Sequence, residues 1–152
     1  MPMKDTSLSI SLRQATSADS DFAYHVKKIA LGEYVKRTYG KWDEAFQRRF
    51  HARQWEPAGT QIIAADGTDV GWIWFTHHAD HISVDGIYIL PQHQGRGIGT
   101  YLLTRLGSDA TRVGKVVRLW VMKVNPAVEF YKQRGFSIIS ETETHWHMEA
   151  QA

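Results

Sequence analysis

The clearest chemistry in this 152-residue chain lies in Gln94-Gly95-Arg96-Gly97-Ile98-Gly99. Glycines at alternate positions let the backbone curl so that several N–H groups point inward, and without Cβ atoms a bulky anion can approach closely. The segment follows a strand-like run and opens a helix-like one. The unsatisfied N–H groups and positive dipole end of that helix therefore add to the same spot. Arg96 can supply a fixed charge at the rim. In form this is a phosphate site, although a glycine-rich turn by itself could equally be a flexible helix start. No Gly-Lys-Ser/Thr ending follows, which rules out the Walker A loop. The G-x-G-x-G spacing with Thr100 next fails the dinucleotide fingerprint as well.

Other groups are chemically capable but less specific. Asp85 lies on the strand before the glycines, with the parity of Ile87 and Ile89, and could take up a proton directly or through water. It could also be a solvated strand carboxylate. Tyr131 sits beside Phe130 and, on its own, reads as an aromatic core residue. Of the eight histidines, His77, His78 and His81 cluster at a predicted turn, while His145 and His147 share a strand face. No matching carboxylate spacing or thiolate accompanies them, so no metal is expected. The chain has no cysteine, which excludes a cysteine nucleophile, a disulfide and a thiolate metal site.

The elements that must position these groups follow from hydrophobic periodicity. Leu8, Ile10 and Leu12 alternate with polar residues as a half-buried strand. Thr16-Ser17-Ala18-Asp19 offers capping oxygens for a helix running to about Ala30. A second helix starts after Gly40 and carries Trp42, Ala45, Phe46, Arg49 and Phe50. Gln61–Ala65, Val70–Thr76 and His81–Leu90 form a meander, with a turn at Asp66-Gly67. Ile98, Tyr101, Leu102, Arg105 and Leu106 have helical spacing. Val116–Val121 is a strand, Pro126 starts a short helix that ends at Gly135, and Phe136–Ile139 and His145–Met148 are closing strands. The expected fold is therefore mixed α/β, with about seven strands and four helices and a crossover between the fourth and fifth strands.

The length suits one domain over 1–152, with room for a genuine core. The net charge is only +2, and the basic residues are spread along the chain instead of forming a block. A nucleic-acid partner is therefore not expected. The Met1–Ser11 start lacks a long apolar region and no stretch approaches the length of a membrane span, so the expected setting is soluble and cytoplasmic.

The segment Ile87-Tyr88-Ile89-Leu90-Pro91-Gln92-His93-Gln94-Gly95-Arg96-Gly97-Ile98-Gly99-Thr100 closely resembles the acyl-CoA signature of the Gcn5-related N-acetyltransferase (GNAT) superfamily. In that signature an apolar-x-apolar strand end runs into Q/R-x-x-G-x-G/A. Gln94, Gly97 and Gly99 fill its defining places. Downstream, Val124-Asn125-Pro126-Ala127-Val128-Glu129-Phe130-Tyr131-Lys132-Gln133-Arg134-Gly135-Phe136 resembles the family's later motif. Two motifs in the right order, each on the appropriate element, are far more specific than either alone. The likeness extends over nearly the whole chain, towards a small bacterial-type branch.

The resemblance implies transfer of an acetyl group from acetyl-CoA to a primary amine, by direct attack through a tetrahedral intermediate. Under it, Ile87, Tyr88 and Ile89 align the pantetheine by strand-like hydrogen bonds, with the Ile89 N–H near the acyl carbonyl. Gly95, Arg96, Gly97, Ile98, Gly99 and Thr100 wrap the pyrophosphate, Asn125 bonds the pantetheine arm, and Tyr131 is the general acid at the sulfur. Some relatives carry a basic Glu in the fifth strand, five places before the Asn. Trp120 stands at that place here, which leaves Asp85 as the foremost base, ahead of Glu33 and Glu141, or a water chain without a dedicated base. Tyr34, Tyr39, Trp42, Trp146 and Glu33 are acceptor-pocket candidates, with His145 or His147. The family also points to a homodimer. Two alternatives stay open, a CoA-binding sensor without turnover and a nucleotide-binding domain using the same nest.

Overall fold

The computed structural model describes residues 8–150. The first seven residues of the Met1–Ser11 stretch lie outside these. The chain runs β1 (Ile10–Gln14), α1 (Ser20–Tyr39), α2 (Glu44–Gln54), β2 (Thr60–Ala65), β3 (Thr68–His77), β4 (His81–Ile89), α3 (Ile98–Arg112), β5 (Val116–Met122), α4 (Ala127–Gln133), β6 (Phe136–Glu141) and β7 (His145–Ala150). The strands form one seven-stranded sheet in the order β1-β2-β3-β4-β5-β7-β6. All neighbours are antiparallel except β4 and β5, which are parallel and joined by the crossover through α3. The mixed α/β fold expected from the sequence is therefore the one observed.

The expected ending of α1 is corrected. The helix passes Ala30 and Gly32 and stops at Gly40, whose φ of 91° lets its N–H turn back to the Lys36 carbonyl. The longer helix carries Leu31 and Tyr34 towards the middle of the sheet.

Strand alternation divides the core into two faces. Ile62 and Trp72 pack with Ala23 and Val26 of α1, whereas their neighbours Ile63 and Ile73 pack with Ile98 and Leu102 of α3. On this second face, Val117, Leu119 and Val121 of β5 join Leu103 and Leu106 of α3 and Val128 of α4. Ile62, Ile63, Ile73 and Ile98 are essentially solvent-free, each stabilising the fold by about 1.5–3 kcal/mol. Helices α1 and α2 thus cover one face, and α3 and α4 cover the other.

Two irregularities in β4 shape the centre of the sheet. Trp74 pairs with Gly86 but Phe75 pairs with Val84, so Asp85 is an extra residue, a β-bulge. Then β4 pairs with β5 only over His81–Val84, and beyond that point the two strands part. The Leu90 N–H donates to Val70 O. By antiparallel alternation, Tyr88 and Leu90 spend their backbone groups on β3, while Ile87 and Ile89 turn theirs to the unpaired edge facing the gap.

Candidate functional site

The glycine turn sits at the end of that gap. Gly95 and Gly97 have φ of 75° and 84°, left-handed values that glycine adopts freely and that tilt successive N–H groups towards one concavity. A Cβ at either would meet nothing within 4 Å, so the space beside them is open. Gly99 serves differently, since a Cβ there would stand 3.2 Å from the Phe130 ring. The first bond of α3 runs from Tyr101 N–H to Gly97 O, which leaves the N–H groups of Ile98, Gly99 and Thr100 at the open helix end.

A cavity of about 560 Å³ joins these parts, within the roughly 300–1,000 Å³ usual for ligand sites. It is lined by the Ile87–Ile89 strand end, Gln94, Gly95, Gly97 to Thr100, Asn125 and Tyr131, with Ala30, Leu31 and Tyr34 of α1 opposite. Gln94 Nε2 donates to the Ile89 carbonyl at 2.8 Å and fixes the strand end. Asn125 Oδ1 accepts from the N–H of Ala127, the first residue of α4, at 2.9 Å. Its oxygen is thus committed, and its Nδ2 is the group available to a ligand. Arg96 is exposed and outside this lining, with Nη1 lying 3.1 Å from His93 Nδ1. Thr100 Oγ1 is engaged by Arg134 Nε at 2.9 Å.

Tyr131 lies in this cavity against Phe130 and Phe136. Burial pushes its phenol up to about 12, so at neutral pH it holds its proton, as a proton donor must. Tyr88 is raised further still by burial, with neighbouring Tyr131 and Asp85 contributing. The three groups therefore lie within electrostatic range of one another.

Asp85 does not have the parity expected for it. The bulge turns it off the face of Ile87 and Ile89 and onto the α1/α2 face, where it lines a cavity with Lys27, Trp74 and Tyr88. Its carboxylate accepts from Thr76 Oγ1 at 2.6 Å and Ser83 Oγ at 2.8 Å. Another cavity, of about 210 Å³, brings Asp85 together with Trp120, Tyr131, Asn125 and His145. Trp120 belongs to the α1/α2 side of β5, since its neighbours Leu119 and Val121 point into the opposite core. The bulge thus presents a carboxylate on the face that carries Trp120 of β5.

Trp120 itself stacks on His147, with ring centroids 4.1 Å apart and planes within 3°. His145 lines the Asp85 cavity, and burial lowers its pKa, keeping the ring neutral. Tyr39, Trp42, Trp146 and Glu33 line none of these cavities. Trp42 instead bonds Tyr24 and Glu44, while Lys123 lies over Trp146 and pairs with Glu141. His78 stacks on His81, and no group of three or more possible metal ligands gathers among the described residues. None of their helices is long and apolar enough to cross a membrane.

Sequence reading missed Arg134, His93 and Leu31, all of which line the large cavity. Arg134 stands four residues beyond Phe130, whose ring its guanidinium covers at 3.8 Å. That i,i+4 spacing was a usable signal.

Both the sequence and the fold match those of known proteins. Residues 26–136 match the model of the acetyltransferase (GNAT) family. An uncharacterised N-acetyltransferase of Methanocaldococcus jannaschii is 37% identical over 70 residues, covering 45% of this chain and 31% of that protein. The thialysine N-epsilon-acetyltransferase of Mus musculus is 30% identical over 95 residues, covering 55% and 56%. The matches thus span about half or less of these curated relatives. Among solved structures, the PaiA N-acetyltransferase of Thermoplasma acidophilum in complex with coenzyme A superposes with a TM-score of 0.74 at 20% identity, over 95% of this chain and 99% of that one. Arabidopsis thaliana Naa50, in complex with a bisubstrate analogue, gives 0.67 at 16% identity over 95% and 99%. These two likenesses concern the fold, whereas the family match covers most of the sequence, and the chain belongs to the acetyltransferase (GNAT) family.

Proposed function

We propose that this protein is an N-acetyltransferase that moves the acetyl group of acetyl-CoA to a primary amine. The observation that carries this reading is the single cavity in which the glycine nest, the unpaired edge of Ile87 and Ile89, Asn125 and the protonated Tyr131 meet. The pyrophosphate is held by the backbone N–H groups from Gly95 to Thr100, with Arg96 and Arg134 as flanking cations. The pantetheine adds along Ile87 and Ile89 and reaches Asn125 Nδ2. The Ile89 N–H faces the acyl oxygen, where a fixed donor is worth most.

The chemistry needs a neutral amine, and a lysine-like amine has a pKa of about 10.4 in water. Asp85 takes the amine proton, directly or through water, as the N–C bond forms. The C–S bond then breaks and Tyr131 gives its proton to the departing sulfur. With this go a cytoplasmic setting and an acceptor that is a small molecule or a protein amine. The mouse relative is named for thialysine, an acceptor of the former kind.

One observation favours a second reading. Trp120, stacked on His147, occupies the place of a family carboxylate, which fits a CoA-binding sensor without turnover. Both readings require CoA binding. Thermal shift with acetyl-CoA, CoA, ATP and NAD tests that requirement, because a ligand of the native state raises Tm. Shifts with the two CoA species alone are expected. Shifts with ATP or NAD alone would overturn both.

A further inference from the structure

On the α1/α2 face, a cavity of about 190 Å³ is lined by Lys27, Trp55, Trp72, Trp74, Asp85 and Tyr88, among others. It shares Tyr88 with the large cavity, and shares both Tyr88 and Asp85 with the cavity that contains Tyr131. The three cavities therefore adjoin at Tyr88.

Two donors in its wall have no hydrogen-bond or ion-pair acceptor among the described residues. Trp55 Nε1 is buried with no hydrogen-bond acceptor, a costly state that native chains seldom keep without a reason. Among the described residues the Lys27 ammonium forms no ion pair with a carboxylate, and it lies 5.2 Å from the Phe50 ring centroid. Burial lowers its pKa, a penalty that a bound anion would offset. The remaining charged groups of the lining are accounted for. His51 is bonded to Ser20 and lowered by burial, Glu56 is exposed, and Asp85 is bonded to Thr76 and Ser83 and also lines the cavity that holds Tyr131 and Trp120. The cavity lining thus combines two anion-seeking donors, Lys27 and Trp55, with the carboxylates of Asp85 and the exposed Glu56, among aromatic side chains.

That pattern complements a zwitterion. The size also decides between occupants, because 190 Å³ falls below the roughly 300 Å³ at which drug-sized ligand pockets begin. We infer that this cavity is the acceptor subsite for a small amino acid, whose carboxylate binds Lys27 and Trp55 and whose amine is presented to Asp85. This rests on the acetyltransferase reading for its chemistry but not for its binding.

The test is calorimetric titration of the CoA-loaded protein with the common L-amino acids, each beside its carboxamide. At least one amino acid should bind, with its carboxamide weaker by roughly 10- to 100-fold, the value of a charged hydrogen-bonded contact. Lys27→Met should abolish that difference and Lys27→Arg should keep much of it, with the acetyl-CoA thermal shift checking that each variant is folded. No amino-acid binding, equal binding of acid and amide, or a Lys27→Met effect equal on both would overturn the inference. A parallel CoA-release assay separates the two proposals. Carboxylate-dependent binding without CoA release removes the transferase reading and leaves the subsite. CoA release indifferent to the carboxylate removes the subsite and leaves the transferase.

Discussion

Asp85 accepts a 2.6 Å hydrogen bond from the Thr76 hydroxyl, a contact that exists because β4 carries one residue more than β3 at that step. With Ser83 holding the other oxygen, the carboxylate is fixed on the face that Trp120 shares. Asp85→Asn is accordingly expected to lower kcat by roughly 10²- to 10⁴-fold, the usual contribution of a positioned base. The KM for acetyl-CoA should hardly change. Steady-state kinetics checks this, and an unchanged kcat would remove Asp85 from the chemistry.

Tyr131→Phe removes the proton donor and keeps the ring that packs on Phe130 and Phe136. The expected loss is again roughly 10²- to 10⁴-fold in kcat, with acetyl-CoA affinity retained. Because the folded phenol is raised from 10.0 to about 12, the acid form persists through pH 10. A pH–rate profile should therefore show no alkaline fall from this group up to that point. Full kcat in the Phe variant across pH would contradict the assignment.

Gly97→Ala tests the nest. At φ 84° an L-residue costs roughly 1–2 kcal/mol, yet its Cβ meets no protein atom within 4 Å. The harm should therefore fall on the ligand as well as on Tm. Calorimetry is expected to show acetyl-CoA bound about tenfold or more weakly, and unchanged affinity would refute the nest.

Most of the fold was legible because its elements obey simple periods. The meander, the Asp66-Gly67 turn and the glycine loop all follow from local chemistry. Where reading failed, non-local geometry decided. The helix expected to end at about Ala30 runs on through Gly32 to Gly40. Asp85 counts as in phase with Ile87 until a bulge shifts it, and Gly86 beside it was the one local hint. Asn125 was expected at the pantetheine arm from its motif; it lines the large cavity, and only the structure commits its oxygen to the Ala127 N–H. Lys27 and Trp55 come to line one cavity through the packing of α1 and α2, which no sequence spacing encodes.

Acid stability offers a check on the β1 end of the sheet. Arg13 pairs with Asp19 and Asp69, and its guanidinium lowers Asp19 from 3.8 to about 2. A depressed carboxyl stabilises the fold above its unfolded value, and this is lost as pH falls through the folded one. The contribution should therefore be complete above pH 3.8 and fade towards pH 2. Arg13→Ala should lower Tm at neutral pH and flatten the loss across that window in thermal melts. A parallel downward shift at every pH would instead show that the pair contributes packing alone.

The most direct measurement of acetyl transfer is a primary-amine screen that follows CoA thiol release and acetylated amine together. At least one amine should yield both products in equal amounts, with release suppressed in Asp85→Asn and Tyr131→Phe. Acetyl-CoA that binds and raises Tm, with no amine of any class acetylated, would contradict an enzyme and leave a sensor.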